Sequence, residues 1–323
     1  SFIGEHTVTA MMMPVGLTLI HNTSTDREKT KNMAALILFS IAYGSAMGSI
    51  GTPSGGGRNV IMIGYWQEFG FGDISYLGWM RYTYPMLLIE IPFAVAILWF
   101  TFRPTQKVLD SAVRKLKVQV ARRGAMTGQN ILAIIVFLIV FLGWVFLSKK
   151  IGLGIIALIG VFLYLVLGLI RWSDLNRNTN WGVILLFGAA VSIGLQMKET
   201  GAALWIANSA IDIMKLLSED ISILRWLVSV LLTGVLTNLL SNAATVAVVG
   251  PIVLNLGGDP IVMGFSTAIA SAFAYLTVVA SPTCMIIHSS GLVQRSDYLK
   301  AGWKMFIMSI VILFIMSKFW AVS

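Results

Sequence analysis

Hydrophobic residues in this chain come in long blocks parted by short polar breaks, not in the alternation of a half-buried sheet. The blocks at 82–102, 130–147, 151–170, 181–197 and 302–320 approach or reach the roughly 20 apolar residues that cross a bilayer as a helix. Barrel strands would be shorter and alternating, so these spans read as helical. Two further blocks are interrupted. One runs over 33–50, breaks at Gly51-Thr52-Pro53-Ser54-Gly55-Gly56-Gly57-Arg58-Asn59 and resumes from Val60 to about Tyr65. The other runs over 260–279, breaks at Ala280-Ser281-Pro282-Thr283-Cys284 and resumes over 285–290. A regular helix does not accommodate such glycine and proline runs, so each block reads as a discontinuous helix with an unwound middle.

Two stretches read as hairpins. Residues 1–20 are apolar around Gly4-Glu5-His6-Thr7, with Pro14 later, which suggests a tip and its returning arm. Residues 223–256 form the second, with the small, polar run Thr237 to Pro251 near its tip. Ser, Asn and Thr at membrane depth must be buried in protein or face a water-filled cavity. A broken span beside a polar hairpin suits a midplane solute site; the plainer reading is polar glue between closely packed helices. Between these elements, 21–32 and 171–180 read as polar loops, and Ser148-Lys149-Lys150 as a tight turn. Over 103–126, Val108, Ala112, Leu116 and Val120 recur at helical spacing among basic residues, as in an interfacial amphipathic helix. A weakly amphipathic segment runs on to Leu217. His21 is a loop residue without evident role, and His288 follows the second break towards the cytoplasmic mouth.

The order hairpin, broken helix, full span thus occurs twice. With Pro14 laid over Pro251, Gly4 to Ala10 fall on Ser241 to Ala247, and Thr52-Pro53 answers Ser281-Pro282. The expected division is 1–80, first-repeat transport elements; 81–127, scaffold span and amphipathic connector; 128–180, scaffold spans; 181–300, second-repeat transport elements; and 301–323, final scaffold span. The fold class is an all-α polytopic membrane protein with two re-entrant hairpins and two discontinuous helices in inverted repeats.

Composition agrees. Apolar residues make up 57% and charged residues 11%, against roughly a quarter charged in soluble domains. Mean hydropathy is +0.84. The net charge of +9 lies between the apolar runs, where it sets topology and meets anionic headgroups. Arg27, Lys29, Lys31, the basic connector, Arg171, Arg177, Arg295 and Lys300 mark the richer, cytoplasmic side, so the two halves run in opposite senses. The expected location is multi-pass in the plasma or inner membrane. No aromatic-interleaved basic patch points to nucleic acid. A lone Cys284 excludes an intramolecular disulfide and a cysteine metal cluster. The start at Ser1-Phe2-Ile3, without Met or signal peptide, suggests missing N-terminal sequence.

Helix termini inside the membrane offer free amides and a positive dipole end, and so hold a carboxylate or sulfate without a full charge. Ser241, Asn242, Ser281 and Thr283 add side-chain donors, and unwound carbonyls suit a hard cation such as sodium.

In these residues the chain resembles the divalent-anion:sodium symporter family of dicarboxylate, citrate and sulfate transporters. Ser241-Asn242 matches the family's second Ser-Asn-Thr tip; Ser281-Pro282-Thr283, with Ile286 to Gly291, its second broken helix; and Thr52-Pro53, with Gly55 and Asn59, the first. Trp181 to Gly188 with Lys198-Glu199-Thr200-Gly201 resembles the span before the second hairpin. The resemblance implies substrate binding at Ser241, Asn242, Ser281, Pro282, Thr283, Thr52, Pro53 and Asn59. It also implies an elevator mechanism on a homodimeric scaffold whose first helices are absent here. A small anion and the bilayer are the expected partners, with sodium the one ion to consider and no cofactor. Departures fall at the first tip, which reads Gly4-Glu5-His6, and at Ala243, Gly56-Gly57-Arg58 and Cys284.

Those departures motivate a second expectation. Glu5, His6, Arg58, Gly55 and Thr245 form a cation or charge-substitution set: Arg58 supplies fixed charge where the family binds sodium, and His6 or Glu5 adds proton sensitivity. The plainer reading is a structural Glu5–Arg58 pair. Glu90 reads as a helix-contact or cavity residue. Three histidines without His-x-x-x-His or Gly-x-Ser-x-Gly argue against an enzyme. A receptor-like or structural subunit with a vestigial anion site is the rival to transport.

Overall fold

Glycine, proline and polar side chains decide where the helices of this molecule stop. A computed structural model describes the chain except residues 22, 24–26, 105–112, 115–116, 119–120, 122–125, 180, 203–204, 206–208, 210–211, 213–219 and 321–323. Most of the basic connector and of the segment before Leu217 therefore lies outside the described residues. Every described element is helical. Among the described residues, three helices are long and apolar enough to cross a membrane: Tyr76–Thr101, Gly128–Ile151 and Arg295–Trp320.

The first half opens with α1 (Glu5–His21), which continues through Pro14. Then come α2 (Arg27–Gly48), a 3-10 turn at Pro53–Gly55, α3 (Gly57–Glu68) and α4 (Tyr76–Thr101). Helices α9 (Ile221–Leu236) and α10 (Asn242–Asn255) form a hairpin; α11 (Pro260–Ala270), a 3-10 turn at Val278–Ala280 and α12 (Pro282–His288) form the broken helix; α13 (Arg295–Trp320) closes it. Between the halves lie α5 (Gly128–Ile151), α6 (Leu153–Val166), α7 (Trp172–Asn178) and α8 (Trp181–Glu199).

Several boundaries differ from the sequence expectation: the helix α2 already begins at Arg27, inside the loop expected over 21–32, and α4 and α13 begin at Tyr76 and Arg295, ahead of the expected 82 and 302. The turn expected at Ser148-Lys149-Lys150 is still helix. The break falls at Gly152, whose φ of 81° only glycine adopts without strain, while the lysines sit in the last turn, where cations suit the dipole. The loop expected over 171–180 contains α7, a surface helix with no buried residue and hence no apolar stripe to announce it. The second broken helix unwinds at Ser271, nine residues before the expected break at Ala280, for a reason given by the site below.

Packing crosses between the halves. α3 lies against α10 and α11, and α1 against α12. α4 packs on α13, and α2 on α4. An aromatic cluster seals the junction: the Phe265 ring is 5.0 Å from Trp66, 4.8 Å from Trp79 and 4.7 Å from Tyr82. Gly264 makes room for it, since a Cβ there would stand 2.4 Å from Trp66. By contrast, α5 and α6 present Leu138, Leu142, Phe146, Leu158 and Phe162 outward. An apolar surface of that extent is what lipid covers in a membrane protein.

Candidate functional site

The site begins with glycines. Gly55 folds the first break back against the end of α2; a Cβ there would meet the Ser49 carbonyl oxygen at 2.4 Å. Gly57 brings the start of α3 to the second hairpin tip, its Cβ position 3.9 Å from that of Ala243. This approach delivers Arg58, in the first turn of α3, to Glu5, in the first turn of α1.

Arg58 is 1% exposed and Glu5 3%. A buried ion pair is tolerated only when the remaining donors and lone pairs are met as well. Here they largely are. Arg58 Nη1 donates to Glu5 Oε2 at 3.1 Å, and Ser49 Oγ donates to the same oxygen at 2.8 Å. Arg58 Nη2 donates to Ser49 Oγ and, at 3.4 Å, to the Ala46 carbonyl. The other carboxylate oxygen, Oε1, accepts from Asn242 Nδ2 at 2.8 Å. Asn242 is oriented in turn by Thr237, whose hydroxyl lies 3.0 Å from its Oδ1. One network thus joins the first tip, the first break and the second tip. His6 stands at its edge, half-exposed, with Nδ1 3.8 Å from Glu5 Oε1.

Each break is held open by one asparagine. Asn59 Nδ2 donates to the carbonyls of Ser49 at 2.9 Å and Thr52 at 2.8 Å. Asn238, on the second hairpin, donates to the Phe273 carbonyl at 3.1 Å and accepts from the Leu276 amide at 2.8 Å. Thr237 Oγ1 lies 2.6 Å from the Ser271 carbonyl oxygen, and Thr277 Oγ1 donates to the Asn238 carbonyl at 2.9 Å. These side chains meet the Ser271 and Phe273 carbonyls and the Leu276 amide, so the backbone can leave the helix at Ser271 without stranding them.

The remaining expected residues are placed as follows. Ser241 is exposed and caps α10, accepting from the Ala244 amide at 3.3 Å. Ser281 caps α12, accepting from the Cys284 amide at 3.3 Å, and bonds to the hydroxyl of buried Thr283. Pro282 occupies the first turn of α12. Thr52 and Pro53 are buried in the first break. No hydrogen bond joins Ser241 or Asn242 to Ser281 or Thr283 among the described residues; Asn242 meets Glu5 instead. Arg58 Nε, Asn59 Oδ1 and Thr245 Oγ1 are buried without a hydrogen-bond partner. His288 ends α12 and lines a cavity of about 440 Å³ with Arg295 and Thr277. His21 is the last residue of α1.

Sequence reasoning passed over Ser49 and gave Thr237 and Asn238 no role beyond membership of the polar run at the second tip. Their signal was a polar side chain one turn before a break or tip inside otherwise apolar sequence.

The profile of a family described as "Sodium:sulfate symporter transmembrane region" matches residues 6–322. An "Uncharacterized transporter" of Haemophilus influenzae is 27% identical, covering 96% of this chain and 68% of its own. "Sodium-dependent high-affinity dicarboxylate transporter 3" of Caenorhabditis elegans is 27% identical over 94% of this chain and 62% of its own. "Sodium-dependent dicarboxylate transporter SdcS" of Staphylococcus saprophyticus is 24% identical over 98% and 66%. The chain thus spans 62–68% of the length of these three relatives.

Proposed function

Because this chain belongs to the sodium:sulfate symporter transmembrane family, whose members are integral, multi-pass membrane transporters and not enzymes, we propose that it carries a small di- or multivalent anion across the membrane. A dicarboxylate is the first choice, as in the names of two relatives; sulfate and citrate suit the same amide and hydroxyl donors. The observation that carries the reading is the 2.8 Å bond from Asn242 to Glu5, which joins two tips from different halves of the chain at one buried point. Substrate is read onto Ser241, Asn242, Ser281, Pro282, Thr283, Thr52, Pro53 and Asn59. The hairpins and broken helices form the moving body of an elevator, in inverted repeats, against a homodimeric scaffold.

Coupling is the property that sets this chain apart. Arg58 is a tethered cation in the first break, and we read it as replacing a transported sodium ion there. Thr245 Oγ1 in the second half and Asn59 Oδ1 at the first break, both buried and unpartnered, are oxygen ligands open to a sodium ion. Exchange or proton-linked transport is the form this predicts, with His6 and Glu5 as the groups that sense pH. One observation favours the rival reading of a vestigial, receptor-like site: the Arg58 charge is already spent on Glu5.

Counterflow of a labelled C4-dicarboxylate into proteoliposomes tests the proposal. Saturable counterflow is expected without sodium. Asn242→Ala should reduce it about tenfold, the effect of one lost hydrogen bond to a charged group. A strict sodium requirement at every pH would overturn the coupling; absence of counterflow under all conditions would favour the receptor reading.

A further inference from the structure

Glu90 stands apart from the hairpin-tip cluster. It lies within α4 and is fully buried. Ser309 of α13 donates to its Oε1 at 2.5 Å. Its other oxygen, Oε2, is sealed from solvent and has no partner. No described cation compensates it. Arg58 is held by Glu5, Lys304 of α13 donates to Thr101, and Lys300 pairs with Asp297. α2 carries its charges over 27–31 alone, and α5 brings Lys149 and Lys150, both exposed at its end.

The titratable side chains that meet this cluster are phenols. Tyr275, from the unwound stretch 271–277, stands beside Ser309 and within electrostatic reach of Glu90. Its hydroxyl is buried and unpartnered. Tyr43 of α2 donates to the Tyr275 carbonyl at 2.8 Å. Gly302 of α13 lets that carbonyl in, since a Cβ there would sit 2.3 Å from it. Two long helices and the second unwound segment therefore close over one acid and two hydroxyls.

An ionised carboxylate sealed from water and from every described cation is costly to keep. A proton removes the charge and turns Oε2 from an orphaned acceptor into a donor. We infer that Glu90 is a proton-binding site, loaded when α4 and α13 are packed against the unwound segment. Opening that junction to water lets the proton go. The packed state then binds one more proton than the opened state, so rising pH favours opening and falling pH favours packing. This rests on burial and geometry at the junction and holds whichever anion the tips bind.

Infrared spectroscopy of the full chain in lipid at about pH 7 tests it, with wild type set against Glu90→Gln. The wild type should show a protonated-carboxyl C=O band that is missing from Glu90→Gln. Ser309→Ala should move that band to higher frequency, because its carbonyl oxygen loses a donor. Should Glu90→Gln fail to fold, the Ser309→Ala shift decides alone. Thermal unfolding adds a second readout: the wild-type Tm should fall more than that of Glu90→Gln between about pH 5 and about pH 8. A wild type without the band, a band unmoved by Ser309→Ala, or equal pH slopes would overturn the inference.

Discussion

At the scale of single residues, Arg58 and Glu5 are worth little as a pair and a great deal against being separated. Coulomb attraction in the interior roughly offsets the desolvation of both charges, but removal of one strands the other. Arg58→Gln should therefore cost about 3–5 kcal/mol, read as a loss of unfolding free energy or Tm in detergent. Glu5→Gln combined with Arg58→Gln should recover most of that loss, since neither buried charge remains. Asn242 sharpens the point. Asn242→Ala removes a donor from Glu5 Oε1, whereas Asn242→Asp sets a second carboxylate where the 2.8 Å bond stood. The aspartate variant should be the less stable of the two near neutral pH, and the gap should narrow as the pH is lowered and the pair protonates.

At the scale of elements, the breaks are built structures and not frayed helix. Asn238 meets the Gly234 and Phe273 carbonyls and the Leu276 amide at once, so Asn238→Ala leaves several buried backbone groups unmet. A cost of about 1–3 kcal/mol is expected, with faster amide hydrogen exchange confined to 271–277. Much of this level was legible beforehand. Glycine and proline punctuate both breaks, and the second hairpin and the two closing helices follow in the order expected. The remainder was hidden for identifiable reasons. The stop at Gly152 looks in sequence like any glycine near a polar turn, and α7 has no hydrophobic period to detect. The early end of α11 depends on Thr237 and Asn238, which arrive from another helix. A side chain that caps through space leaves no local mark.

At the scale of the molecule, two of the joints between the halves stand out: the polar network at the tips and the aromatic cluster around Phe265. The second joint depends on a missing methyl group. Gly264→Ala would put a carbon 2.4 Å from the Trp66 ring, so Trp66 or α11 must shift. A loss of about 1–3 kcal/mol is expected from overpacking, measured by thermal unfolding, with Trp66→Phe in the same chain restoring part of it. This joint could not be read ahead of the structure, because aromatic residues in an apolar chain carry no address. The site was half legible for the same reason. Its residue types were marked by sitting polar in apolar blocks, but which tip would meet which break was not.

The bond between Glu5 and Asn242 spans 237 residues. At about 5–20 residues per second of synthesis, that separation is on the order of 10–50 s of ribosome time. Through that interval the helices around Glu5 are already made, and its carboxylate lacks the donor that completes its coordination. A nascent chain of this kind has to be sheltered in the insertion machinery, or held at the aqueous boundary, until the hairpin carrying Asn242 emerges.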